Sequence, residues 1–204
     1  MLNNTGFDLW SENYEKSVRE SFLSDSYPFA GYTELLSRIY GDILSRNGKS
    51  YLDIGIGTGI LAKKLYDDGL SVTGIDFSEK MLAIAAEKMP DARLLLCDFG
   101  KNLPEEIKND RFDAIVCTYA IHHLPYDVQK QLLRELLPLL SENGRLYIGD
   151  VAFETMAELE ACKKANIEDW DTDELYPVLE NFKNEFAVEF EKISFCAGIF
   201  TFRA

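Results

Sequence analysis

The stretch Tyr51 to Gly59, YLDIGIGTG, runs from a short apolar segment into three glycines at every second position, and an amphipathic segment begins directly after it at Ile60. Strand, tight glycine turn and helix is the form in which an open α/β sheet offers its first loop to a ligand. Glycine lets the backbone turn sharply and lets a ligand approach with no Cβ in the way. The spacing predicts a nucleotide-like ligand. The dinucleotide fingerprint started at Gly55 requires its third glycine at position 60, where Ile60 stands. Asp53, just ahead of the glycines, would repel a pyrophosphate, and more strongly as water is excluded. A ligand carrying positive charge is favoured there.

Outward from this loop, short apolar runs alternate with helix-like stretches. The runs are Ser50 to Ile54, Ser71 to Ile75, Arg93 to Cys97, Ala114 to Thr118 and Arg145 to Ile148, with helical patterns at about 60 to 69, 79 to 88 and 126 to 140 between them. That alternation predicts a parallel sheet with helices on both faces. Phe186 to Phe195 and Ala197 to Phe202 are separated only by a tight connection near Cys196, too short for a crossover helix, so they should pair antiparallel. Upstream, Phe7, Trp10, Tyr14 and Val18 fall at helical spacing, and Leu35, Leu36, Ile39, Tyr40, Ile43 and Leu44 form a second apolar set that Asn47-Gly48 ends. The expected fold is α/β: a doubly wound, Rossmann-like, seven-stranded and mostly parallel sheet with an antiparallel C-terminal strand pair and an N-terminal helical lid. One domain spans 1–204, with 1–48 the lid, 49–150 the cofactor-binding core, and 151–204 the substrate-side helices and terminal hairpin.

Two more carboxylates end the next two strands. Asp76 lies about 20 residues past the glycine loop, where it can accept hydrogen bonds from both ribose hydroxyls, and Asp98 can accept from an adenine amino group. Asp53, Asp76 and Asp98 in register describe a pocket for adenine, ribose and a positive charge without a polyphosphate. S-adenosylmethionine is the common metabolite with those properties.

These residues resemble the motifs of the class I S-adenosylmethionine-dependent methyltransferases, and the chain is similar to the small bacterial ubiquinone and menaquinone C-methyltransferases and their relatives. YLDIGIGTG looks like the first motif, VTGIDFSEKML the second, LLLCDF the third and FDAIVCTYAIHHL the fourth. The resemblance implies that Asp53, Gly55, Gly57 and Gly59 hold the methionine part of the cofactor and Asp76 the ribose. It places Phe77 and Met81 on the adenine faces, Cys97, Asp98 and Phe99 at the adenine edge, and Thr118 and Tyr119 at the methyl end. It further implies an aromatic N-terminal helix over the cofactor, carried by Trp10 and Tyr14, with Tyr14 a cofactor-binding and catalytic candidate. Methyl transfer yields S-adenosylhomocysteine, and the acceptor is expected to be a small molecule. No Asn-Pro-Pro-Tyr or Pro-Cys motif follows the fourth strand, which sets the chain apart from DNA base methyltransferases. Two other readings stay open: an NAD(P)-dependent oxidoreductase, disfavoured by Ile60 and Asp53, and a non-catalytic protein that binds the cofactor or its product.

Cys117 to Pro125, CTYAIHHLP, holds the only two histidines of the chain. His122 and His123 follow the fourth strand at the edge where the methyl group would be presented, and both are catalytic candidates. No metal is expected: adjacent side chains diverge on a helix or a strand, and no cysteine or third histidine is spaced to help. Tyr27, Phe29 and Tyr32 offer an aromatic entrance, and Phe153, Trp170 and Tyr176 a cap.

The net charge of −14 disfavours nucleic acid as a partner. Positions 151–192 carry twelve acidic and four basic residues, so this segment should tolerate neutral or cationic substrates and repel phosphorylated ones. Four scattered cysteines read as reduced thiols. With no signal-like N-terminus and no run of about 18 apolar residues, a cytoplasmic protein without membrane contact is expected, as a monomer or homodimer.

Overall fold

Seven strands form one sheet in the order β3-β2-β1-β4-β5-β7-β6. In the computed structural model, which describes residues 26–203, they are β1 (Ser50–Ile54), β2 (Ser71–Asp76), β3 (Arg93–Leu96), β4 (Phe112–Thr118), β5 (Leu140–Val151), β6 (Val188–Lys192) and β7 (Ala197–Phe202). β1 to β5 pair in parallel, while β7 lies antiparallel between β5 and β6. This is the doubly wound, mostly parallel sheet closed by an antiparallel pair that the apolar rhythm predicts. The expectations resting on Phe7, Trp10, Tyr14 and Val18, including the N-terminal helix over the cofactor, lie outside the described residues.

The helices follow from how the strands alternate. Along β1, Tyr51 joins the core on one face, with α1 (Tyr32–Ser45), α2 (Ile60–Asp67) and α3 (Glu79–Lys88). Leu52 and Ile54 join the other, beneath α4 (Tyr126–Leu136) and the short α6 (Leu179–Phe182). Strands covered on both faces read as continuous apolar runs, which is why β1 and β4 are legible. Leu35 of α1 and Leu133 of α4 are fully buried in the two cores, and truncating either to Ala should cost about 2–5 kcal/mol. A third, smaller cluster gathers Tyr27, Phe153, Tyr176 and Cys196 beside α5 (Met156–Ala165). The Thr155 side chain caps α5 by accepting from the Glu158 backbone N–H at 3.2 Å.

Three boundaries differ from the sequence expectation. The helix expected over 126–140 ends at Leu136 and tightens into a 3₁₀ turn over Leu137–Leu139, because Pro138 supplies no N–H for another α-helical bond. Ser141 to Gly144, whose Asn-Gly pair favours a turn, is instead drawn into an irregular start of β5, with Leu140 opposite Phe112. Asp113 accounts for this. It accepts from Ser141 Oγ at 2.7 Å and from the backbone N–H of Lys49 and Ser50 at 2.7 and 3.1 Å, tying together the starts of β1, β4 and β5. The strand expected over 186–195 covers only Val188–Lys192. Ser194 shapes the turn that follows by accepting from the N–H groups of Cys196 and Ala197 and donating to Ala30 O.

The sheet grows from β1 towards β2 and β3 on one side and towards β4 and β5 on the other. The loops after β1 and β4 therefore part, and a crevice opens at their carboxyl ends.

Candidate active site

That crevice is a cavity of about 320 Å³, in the range of small-molecule sites, roughly 300–1,000 Å³. It has two chemically distinct ends.

At the first end, Asp53 closes β1 almost fully buried. Its Oδ2 accepts from Tyr51 Oη at 2.5 Å, and its Oδ1 has no hydrogen-bond partner. Burial pushes its pKa up to about 7; the Tyr51 hydrogen bond lowers it and the Asp76 charge raises it further. A buried, half-satisfied carboxylate facing a cavity is a receptor for a cationic donor group. Asp76, at the end of β2, is fixed differently: Gly57 N donates to Oδ2 at 2.8 Å and Ser78 N to Oδ1 at 2.9 Å. Its lone pairs are thus aimed by the glycine loop on one side and the N-cap of α3 on the other. Gly55 has φ of 71°, and a Cβ there would lie 2.7 Å from Ala120 Cβ, so only glycine lets the β1 loop pass the β4 loop. Gly57, Phe77, Met81 and Phe99 also border the cavity.

Three residues expected at this end do not border it. Gly59 is the left-handed N-cap of α2 and faces Met89. Cys97 donates its thiol to Asn102 O at 3.1 Å. Asp98 is half-exposed and pairs with Lys101 at 2.9 Å.

At the other end, Thr118 and Tyr119 leave β4. Tyr119 has φ of 49°, a left-handed conformation that a bulky side chain rarely adopts. Its N–H donates to Gly149 O at 2.8 Å, and its ring packs on Tyr32 and Phe29, with centroids 4.8 and 5.8 Å away. These contacts hold the turn that delivers the 3₁₀ segment Ile121–His123. Both histidines border the cavity. The two rings, expected to diverge, lie with centroids 4.1 Å apart.

His122 is nearly buried, and its Nδ1 is 2.7 Å from Oδ1 of Asp150, a fully buried carboxylate at the end of β5. Its Nε2 lies 3.5 Å from Oε1 of Glu174. Burial lowers its pKa, but the Asp150 charge and hydrogen bond and the Glu174 charge outweigh that and raise it above the usual value. His123 goes the other way, to about 3, because burial and the neighbouring His122 both disfavour its cationic form.

Glu174 reaches this point because residues 171–176 fold back over the histidines. Leu175 N donates to His122 O at 2.8 Å, and the buried Gln129 donates through Nε2 to Leu124 O and Leu175 O at 3.0 and 2.7 Å. Tyr176 donates to Glu174 Oε2, and its hydroxyl also meets that of Tyr27 at 2.6 Å. Of the expected entrance and cap, Phe29, Tyr32 and Tyr176 border the cavity, whereas Tyr27 and Trp170, stacked with centroids 5.2 Å apart, and the wholly buried Phe153 do not.

Asp150, Glu174, Asp171 and Gln129 escaped the sequence reading. Asp150 had a signal, since Tyr147-Ile148-Gly149-Asp150 ends a strand in a carboxylate as β1 and β2 do. The others had none, because their roles depend on where one segment lands. Among the described residues, His122, His123 and Glu174 form the one His/Cys/Asp/Glu cluster that could hold a metal ion, with ligand atoms within 4.8 Å of one another.

A doubly wound sheet with β7 inserted antiparallel, and an acid-lined cavity at its switch point, defines the class I methyltransferase architecture. Residues 52–144 match the model of a methyltransferase domain. An uncharacterised methyltransferase of Alkaliphilus oremlandii is 32% identical over 180 residues, covering 88% of this chain and 80% of the relative. One from Geobacillus thermodenitrificans is 32% identical over 196 residues, covering 93% and 88%. The chain belongs to this methyltransferase family. Among solved structures, the magnesium protoporphyrin IX methyltransferase of Synechocystis with bound S-adenosylhomocysteine superposes with a TM-score of 0.67 at 20% identity, covering 86% of this chain and 84% of that one, a likeness of fold.

Proposed function

We propose that the protein transfers the methyl group of S-adenosylmethionine to a small-molecule acceptor bound against His122 and His123. The observation that carries this reading is the pairing of Asp53 and Asp76 in one cavity. One carboxylate is buried with a lone oxygen unsatisfied, as an ammonium or sulfonium ligand requires, and the other is held by two backbone N–H groups beside the glycine loop, as a ribose receptor requires. The family supports the same donor.

Transfer from a sulfonium is an in-line displacement of an activated group, so the protein mainly aligns the reactants and excludes water. Thr118 and Tyr119 lie between the donor end and the histidine edge, and the Tyr176 ring borders the acceptor end with Tyr27 and Trp170 packed behind it. No lysine or arginine borders the cavity among the described residues, while Asp171 and Glu174 do. This favours a neutral or cationic acceptor over a phosphorylated one. His122, oriented by Asp150, presents its Nε2 at this acceptor end. Tyr14 keeps its candidacy as a cofactor contact from the family resemblance alone.

Calorimetry with S-adenosylmethionine and with S-adenosylhomocysteine tests the donor reading. Binding at micromolar concentration that is lost in Asp76→Ala is expected. Absence of heat at millimolar ligand overturns it. Tight binding with no methyl loss across a broad acceptor panel would instead favour a sensor of the cofactor. Among the described residues no helix is long and apolar enough to cross a membrane.

A further inference from the structure

We propose that His122, His123 and Glu174 form a binding site for one divalent transition-metal ion, zinc foremost, that holds and activates a hydroxyl- or enol-bearing acceptor. It rests on the acceptor end assigned above and names the chemistry of that end.

Two nitrogens and one carboxylate oxygen, with a fourth position left open, is the ligand set of a catalytic zinc site. The three donor atoms here lie within 4.8 Å of one another, beside the cavity. The 3.5 Å between His122 Nε2 and Glu174 Oε1 is longer than the 2.7–3.2 Å of a good N–H···O bond. It is close to the roughly 3.4 Å that separates two ligands on a tetrahedral ion with bonds of about 2.0–2.1 Å.

The supporting groups are those a metal site requires. Asp150 binds Nδ1 of His122 and leaves Nε2 as the atom presented to Glu174, the carboxylate–histidine arrangement that orients metal ligands. Tyr176 likewise binds one oxygen of Glu174 and leaves the other turned towards His122.

Charge points the same way. Asp150 is fully buried with Oδ2 unpartnered, and Asp171 and Glu174 add two more carboxylates with no lysine or arginine lining the cavity among the described residues. A buried carboxylate oxygen with no hydrogen-bond partner is costly, and a dication beside this group of carboxylates offsets that cost. With an acceptor oxygen in the open position, the ion favours loss of the hydroxyl proton to water. The oxygen lone pair then forms the new O–CH₃ bond, while the S–CH₃ bond breaks and leaves its electron pair on sulfur as a neutral thioether.

The test uses the full chain without a histidine tag, stripped with a chelator and titrated with Co²⁺ as the probe. One Co²⁺ per chain is expected, with the visible bands of a four-coordinate N/O site that Zn²⁺ abolishes. His123→Gln and Glu174→Gln should each lower Co²⁺ affinity at least 10-fold, and Asp150→Asn about 10- to 100-fold, with unchanged circular dichroism. Asp76→Ala should keep the wild-type affinity. No bands at millimolar Co²⁺, or undiminished affinity in both His123→Gln and Glu174→Gln, overturns the proposal. The readout needs neither donor nor acceptor, so metal binding without S-adenosylmethionine heat would break the donor reading alone, and the reverse result would break the metal site alone.

Discussion

The two ends of the cavity are built from different lengths of chain. The end proposed for the donor comes from consecutive β-turn-α units, so Tyr51 and Asp53 or Asp76 and Ser78 meet within a few residues, and Gly57 reaches Asp76 across the one pairing of β1 with β2. The end proposed for the acceptor joins the β4 turn, the end of β5 and the segment around Glu174, and the two carboxylate partners of His122 lie 28 and 52 positions from it. A site made of neighbours can be read as a motif. One made by folding a distant segment back can be varied independently of the fold, as an acceptor site must be when the donor is shared.

If the two ends are separable, the largest effect should come from His122→Asn. Turnover on an identified acceptor should fall about 10²- to 10³-fold while donor affinity stays within about twofold, a split readable from single-turnover rates and calorimetry together. Equal losses in both would erase the distinction between the ends. Next in size, Asp76→Ala should weaken S-adenosylmethionine about 100-fold, since two backbone N–H groups are stranded along with the ribose contact. Acceptor affinity, measured by equilibrium dialysis, should hold.

Trp170→Ala tests the packing behind Tyr176. Loss of its stacking on Tyr27 and edge contact with Tyr176 should raise the acceptor KM about 10-fold, with donor affinity unchanged.

The smallest effect is a pH dependence of the donor end. Asp53 sits near 7 when folded, against 3.8 for the unperturbed group, so the folded protein holds a proton that the unfolded chain has lost. Its contribution to stability is complete below about pH 4 and is lost as pH rises through 7. Melting temperature should therefore drop by a few °C from this group between pH 5 and 8, and Asp53→Asn should flatten that slope. Binding of a cationic donor beside Asp53 should release a proton, seen as a dependence of the binding heat on buffer ionisation enthalpy.

Much of the fold was legible because β1, β2 and β4 are short, apolar and bounded by turn residues, and because Ala197 to Phe202 follows its partner too closely for a crossover. The end of α4 at Leu136 follows from Pro138, which stands in the sequence, but the start of β5 at Leu140 was not legible, since Asp113, a residue of β4, decides where β5 begins by bonding to Ser141. Asp53 and Asp76 were readable as strand-end carboxylates. Asp98, read by the same rule, turns instead to Lys101, which a strand-end pattern cannot distinguish.

The sequence by itself determined the sheet, the crevice and the kind of donor, because those rest on periodicities of two and 3.6 residues and on glycines that admit only certain backbone angles. Only the tertiary structure decided what surrounds CTYAIHHLP. It brought Asp150 beneath one histidine and folded Glu174 over the pair, and the chemistry of an imidazole is set by what its two nitrogens meet in space.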